Sequence, residues 1–136
     1  LDVPSATFPE KASEFEAQTA IGGGPVLINK GKIVDTWKEE LFEVGGVEPA
    51  SSQPRTAVGV TSDKKMIMFV CEGRNMTEGV KGMTTAEVAE ILKDLGCVEA
   101  INLDGGGSTC MLVNGKETIK VSDGAQRAVA SAVYFK

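Results

Sequence analysis

The sequence predicts an α/β to α+β domain: a mixed, twisted sheet carrying one β-α-β unit, hairpins and few helices. Three observations lead there. The apolar run Met66–Glu72, the amphipathic segment 84–95 and the apolar run 98–104 read in turn as strand, helix and strand. Residues Val26–Val34 and Met111–Val121 each place short apolar runs around a turn containing Asn and Gly, the pattern of a hairpin. The chain has 136 residues, 42% of them hydrophobic and 24% charged. That is the size and balance of a single globular domain, residues 1–136, which buries roughly two-thirds of its unfolded surface.

Taken in order, Phe8, Ala12 and Phe15 recur at near-helical spacing and predict a short helix docked by its aromatic residues. Gly22-Gly23-Gly24-Pro25 then leads into Val26-Leu27-Ile28, which pairs with Lys32-Ile33-Val34 across Asn29-Lys30-Gly31. Residues 35–54 hold Gly45-Gly46, Pro49 and Pro54 and read as a long surface loop of the kind that borders sites. From Arg55 to Val60 the chain alternates as a strand, with Arg55, Ala57 and Gly59 on one face. The apolar Met66–Glu72 returns as a strand expected near the centre of the sheet.

Thr84-Thr85-Ala86-Glu87 fits a capping box, with Thr84 as N-cap. Val88, Ile91, Leu92 and Leu95 then make one apolar stripe, and Gly96 ends the helix. The second hairpin follows at 111–121, and Val129 to Phe135 closes the chain as an apolar strand. If the strands flanking the helix are parallel, the crossover is right-handed. Both strands then end on one sheet edge, Glu72 finishing one and Asp104 the other. Crevices at such edges are where α/β sheets bind ligands.

The most pointed stretch is Asn102-Leu103-Asp104-Gly105-Gly106-Gly107-Ser108-Thr109, an apolar strand that runs into a carboxylate, three glycines and two hydroxyls. Strand alternation puts Asn102 and Asp104 on one face. The glycines free the backbone for a close approach to a ligand, and their amides can form a nest for an anion. Ser108 and Thr109 cap a following turn or donate to a ligand. The simpler alternative is a flexible Asp-Gly turn.

Composition excludes several classes. A net charge of −5 argues against nonspecific nucleic-acid binding. No apolar run approaches the ~20 residues of a membrane span. With no histidine, the chain has no Ser-His-Asp or Cys-His site of its own and no His-based zinc site. Cys71, Cys97 and Cys110 form no CxxC pair and read as buried free thiols. The chain starts at Leu1, without Met or a signal peptide, as a processed chain or a fragment would.

Together these residues resemble the phosphodiester glycosidase family. The resemblance runs from Ala20-Ile21-Gly22-Gly23-Gly24-Pro25 to the end of the chain. Its parts occur in family order: the GGGP turn, Pro54-Arg55-Thr56-Ala57-Val58-Gly59, Glu72-Gly73-Arg74, the helix ending Leu95-Gly96, the stretch 102–109 and a late arginine, Arg127. In two respects the chain departs from the pattern. The family more often has Asp-Gly-Arg where this chain has Glu72-Gly73-Arg74. A full family domain is also longer at its amino end, so the chain resembles its carboxyl-terminal half to two-thirds, with an amino-terminal segment of the same protein as an implied partner. The resemblance implies a hydrolase of carbohydrate metabolism, exported to the periplasm, cell surface or medium and needing no cofactor.

The implied reaction cleaves the sugar C1–O bond of a sugar-1-phosphodiester. Its phosphate leaving group is a weak base, so charge stabilisation matters more than protonation. Arginine suits that task through bidentate contacts. Arg74, Arg55 and Arg127 are the phosphate-binding candidates, with Asn102, the amides of Gly105, Gly106 and Gly107, and Ser108 and Thr109 beside them. Asp104 and Glu72 are the candidates for acid/base or nucleophile. Each has a simpler role open to it: Glu72 with Arg74 as a structural ion pair, Arg127 as an exposed base, and Arg55 as an anchor of the 35–54 loop. Two other functions remain open. One is a metal-dependent phosphoesterase holding a divalent cation through Asp104, Glu72 and Asn102. The other is a non-catalytic module that binds a glycan, for which one Trp and one Tyr make a thin stacking platform.

Overall fold

The structure is a computed structural model and describes residues 20–42 and 48–135; the helix expected around Phe8, Ala12 and Phe15 lies outside them. In chain order the elements are β1 (Val26–Asn29), β2 (Lys32–Ile33), β3 (Arg55–Thr61), β4 (Met66–Cys71), α1 (Thr85–Asp94), β5 (Cys97–Asn102), β6 (Leu112–Val113) and β7 (Lys116–Glu117). The first five strands form one sheet in the order β2-β1-β5-β3-β4, and β6 pairs with β7 separately. The fold is α+β.

Every described strand pairing is antiparallel, where the sequence suggests a mixed sheet. The parallel relation expected of the β4-α1-β5 unit is nevertheless present, because β3 lies antiparallel between β4 and β5. The ends of β4 and β5 therefore meet the starts of β1 and β3 along one edge of the sheet.

Local chemistry explains the elements. The β1–β2 turn puts Lys30 at φ 48° and Gly31 at φ 74°, the left-handed pair that a two-residue hairpin turn requires. Asn114 at φ 52° and Gly115 at φ 75° do the same for β6–β7. At α1, the Thr84 hydroxyl accepts from the Glu87 amide at 3.2 Å, and the Thr84 amide donates to the Glu87 carboxylate at 2.8 Å. That closes the capping box the sequence predicts. Val88, Ala89 and Leu92 of α1 pack on Leu27, Ile28, Ala57, Cys97 and Ala100 to make the core between helix and sheet. Gly59 is required there for packing: a Cβ would stand 2.6 Å from the Cys97 sulfur.

Three expectations need correction. The strand β4 lies at the edge of the sheet, and Met66 and Met68 are exposed; an apolar composition fixes neither which strands flank it nor whether both its faces are covered. Val129 to Phe135 forms no strand and Tyr134 is 79% exposed, since apolar side chains alone do not order a strand without a hydrogen-bonding ladder. The strand expected over 98–104 is β5, which ends at Asn102, where the Leu103 amide turns to donate to the Thr56 carbonyl at 2.8 Å. Asn102 is consequently buried, while Asp104, past the strand end, is exposed and shares no strand face with it.

Candidate active site

Four loops converge on the edge where β1 and β3 begin and β4 and β5 end. Pro54 stands at their centre. The Gly106 amide donates to its carbonyl at 2.9 Å. A Cβ on Gly105 would come within 2.9 Å of that oxygen, and one on Gly73 within 2.7 Å of the Pro54 nitrogen. Both glycines are demanded by the close approach of backbones, which brings the 72–74 and 104–107 loops to either side of one proline.

A cleft of about 410 Å³ opens at this edge, lined by residues 22–25, Phe42, Pro49, Arg55 and residues 102–105. Its wall is held by Asn102, whose Nδ2 donates to the Gly24 carbonyl at 2.9 Å and to the Leu103 carbonyl at 2.8 Å. The other end of that amide, Oδ1, is buried and has no hydrogen-bond partner among the described residues. Gly23 presses on the same wall, since a Cβ there would fall 2.6 Å from the Asn102 carbonyl oxygen. Asp104 lines the cleft with an exposed side chain that makes no hydrogen bond or ion pair among the described residues.

Arg55 is 1% exposed. Its Nε donates to the Met83 carbonyl at 2.8 Å, and its Nη2 donates to the carbonyls of Glu48 at 2.8 Å, Pro49 at 3.2 Å and Ser51 at 2.7 Å. The guanidinium thus ties residues 48–51 and the approach to α1 into the cleft floor. Burial draws its pKa below the ordinary arginine value, against the pull of Cys71 and Asp35.

Glu72 does not line the cleft. Its Oε1 accepts from the Lys120 amide at 2.7 Å. The Thr77 hydroxyl first, and that amide second, hold the carboxyl below the ordinary glutamate range. Among the described ion pairs, Glu72 and Arg74 are not partners. The strand ends at Cys71 and Arg74 sits at φ 57°, and the two side chains take different partners on the 120–123 segment, Glu72 the Lys120 amide and Arg74 Ser122 and Asp123.

A second cluster gathers Arg74 and Arg127 around Asp123. Arg74 donates from Nε to Gln53 Oε1 at 3.0 Å and from Nη1 to the Ser122 hydroxyl at 3.4 Å, and its Nη1 stands 3.7 Å from Asp123 Oδ1. Arg127 donates through Nε to Asp123 Oδ2 at 3.1 Å, pairs with it again through Nη2, and donates through Nη1 to the Ser108 hydroxyl at 3.5 Å. The glycine loop joins the two regions: Asp104 and Gly105 line the cleft, while a Cβ on Gly107 would strike the Arg127 and Asp123 head groups. Gly106 and Gly107 are buried in a short 3₁₀ turn, and Thr109 is 1% exposed with a buried hydroxyl that has no partner among the described residues.

The structure thus brings Asp104, Asn102 and Arg55 to one cleft, and Arg74, Arg127 and Ser108 to a neighbouring cluster. It does not set Glu72 beside Asp104 in the cleft. Asp123 was not legible as a site residue; in sequence it is one member of a Ser-Asp-Gly turn, and only folding puts it between two arginines. Among the described residues, no group of three or more His, Cys, Asp or Glu side chains is placed to hold a metal ion. Of the trio considered for a cation, Asn102 turns its amide nitrogen to backbone carbonyls and Glu72 turns to Lys120.

An α+β domain with a carboxylate-bearing glycine loop at one sheet edge is the class that fold and site define. The sequence profile of the phosphodiester glycosidase family matches residues 5–136, and the chain belongs to that family. It is 34% identical over 108 residues to mouse N-acetylglucosamine-1-phosphodiester alpha-N-acetylglucosaminidase, covering 78% of this chain and 20% of that protein. The catalytic domain of the zebrafish enzyme of that name, auto-inhibited by its pro-peptide, is similar with a TM-score of 0.60 and 32% identity over 75% of this chain and 34% of that one. A hypothetical protein from Synechocystis gives a TM-score of 0.63 at 31% identity, over 77% of this chain and 19% of that one. The chain therefore spans about a fifth of the mouse relative's length. Family membership supports a glycosidase-type, hydrolytic function. Among the described residues no helix is long and apolar enough to cross a membrane.

Proposed function

We propose that the protein is a glycoside hydrolase that cleaves the C1–O bond of a sugar-1-phosphodiester. The observation that carries this reading is the position of Asp104: exposed in the cleft, without a side-chain partner among the described residues, at one end of a glycine loop whose other end meets the Arg127–Asp123 pair. A carboxylate with no structural partner is available for proton transfer or attack at the anomeric carbon. The departing phosphate would lie toward Arg74 and Arg127, whose planar forks suit phosphate oxygens.

Arg55 takes a different part from the one its residue type first suggests. Four backbone carbonyls already draw on its guanidinium, so in this reading it shapes the cleft floor. Glu72, drawn to Lys120, orders the segment leading to Ser122 and Asp123. An exported location, and a further segment of the same protein beside this chain, belong to the same proposal.

Hydrolysis in ¹⁸O-labelled water tests the reaction. Attack at C1 leaves the label on the sugar and unlabelled oxygen on the phosphate monoester. A phosphoesterase, with or without a metal ion, puts the label on phosphate, and that result would replace the reading.

A further inference from the structure

We propose that Asp123 sets the charge of the anion subsite so that it favours a phosphodiester over a phosphate monoester; this rests on the glycosidase reading above. Asp123 lies between two cations: Oδ1 stands 3.7 Å from Arg74 Nη1, and Oδ2 accepts from Arg127 Nε at 3.1 Å. Two guanidinium charges less one carboxylate leave a single positive charge in the cluster. The neighbouring Glu72 and Lys120 offset each other. Gln53, Ser122 and Ser108 are uncharged hydrogen-bonding partners of the two arginines, and Asp104, at the far end of the glycine loop, lines the cleft rather than pairing within the cluster.

A phosphodiester carries one negative charge at neutral pH, whereas a phosphate monoester carries about −1.5 to −2. Against a subsite of net charge +1, the diester is balanced and the monoester brings excess charge toward the Asp123 carboxylate. The substrate and the product of the proposed reaction differ in this respect, so Asp123 also favours release of the monoester product. Gly107 leaves room for the pair beside the loop, because a Cβ there would overlap the Asp123 and Arg127 head groups and oblige them to shift.

The test is a calorimetric titration of the full chain, carrying Asp104→Asn throughout so that the diester is not turned over, with a methyl sugar-1-phosphodiester and with the corresponding sugar 1-phosphate, at low ionic strength. Removing the charge in Asp123→Asn favours both ligands, and the dianion gains about twice the logarithm of the monoanion's gain. Exposed charge pairs of this kind are worth up to about 1 kcal/mol, or about 5-fold in affinity. The expected result is therefore a monoester-to-diester affinity ratio raised about 5-fold, with that increase shrinking in added salt. Asp123→Glu keeps the charge and should keep the parent ratio even where it weakens both ligands. A ratio unchanged in Asp123→Asn, or one changed equally in Asp123→Glu, overturns the charge-matching role and leaves the glycosidase reading standing. A parent protein that melts cooperatively yet binds neither ligand overturns both.

Discussion

Gly24 and Asn102 hold each other through paired hydrogen bonds: the Gly24 amide donates to the Asn102 carbonyl at 2.7 Å, and the Asn102 side-chain amide donates back to the Gly24 carbonyl at 2.9 Å. The pairing fastens the GGGP turn to the end of β5 and so fixes one wall of the cleft. It also explains why this strand ends in a carboxamide rather than an apolar residue. The Gly24 and Leu103 carbonyls are both acceptors, and only a side chain with N–H groups satisfies both.

Asn102→Asp is the sharp test of that wall. The substitution conserves shape but replaces a donor with a buried acceptor facing two carbonyl oxygens. An uncompensated buried charge-bearing acceptor costs about 3 kcal/mol or more. A chemical-denaturation curve should show a loss of that size at pH 7, shrinking at low pH as the carboxyl protonates and regains an O–H donor. A variant as stable as the parent at pH 7 would show that the wall does not depend on this bond.

Asp104→Asn should behave in the opposite way. The side chain is exposed and makes no hydrogen bond among the described residues, so its replacement leaves the melting temperature within about 2 °C of the parent, as for surface changes generally. Turnover of a sugar-1-phosphodiester should fall by about 10²-fold or more, the usual scale for removing a general acid or base. Retained turnover would remove Asp104 from the chemistry.

Glu72→Gln separates an anchor from a catalytic carboxylate. The folded-state pKa of Glu72 is lowered, so the group contributes stability that is present above the unfolded value, about 4.3, and is lost as pH falls through the folded value. The variant should therefore be less stable than the parent at pH 7 and converge with it below that window, as read from melting curves across pH. If Glu72 orders the segment to Asp123, turnover falls by less than about 10-fold, short of the general acid/base scale. A loss as large as that of Asp104→Asn, without a stability change, would make Glu72 catalytic.

How much was legible in the chain differs sharply from residue to residue. The alternation put Arg55, Ala57 and Gly59 on one face, and the structure buries that face while leaving Thr56, Val58 and Val60 partly exposed. The same alternation failed at Asn102 and Asp104, because it holds only while the strand does, and β5 stops between them. Arg55 reads from its type either as a phosphate ligand or as an anchor of the 35–54 loop, and only the fold, which wraps the carbonyls of residues 48–51 around it, decides for the anchor. Asp123 and the edge position of β4 were equally hidden.

By itself, the sequence determined what depends on a few neighbouring residues. The left-handed turns at Lys30-Gly31 and Asn114-Gly115, the capping box from Thr84 to Glu87 and the apolar stripe of α1 all follow from steric and hydrogen-bonding rules that act within one turn of chain. It also held the Asp-Gly-Gly-Gly loop, because three successive residues without Cβ atoms announce a close approach wherever they lie. Tertiary structure alone decided which groups that loop meets. The antiparallel insertion of β3 between β4 and β5 puts Pro54 between Gly73 and Gly105. The loops beyond place Asp123 between arginines that lie 49 and 4 residues from it in the chain. Contacts at such separations are set by the packing of the whole sheet and helix, for which no short stretch of sequence carries the cause.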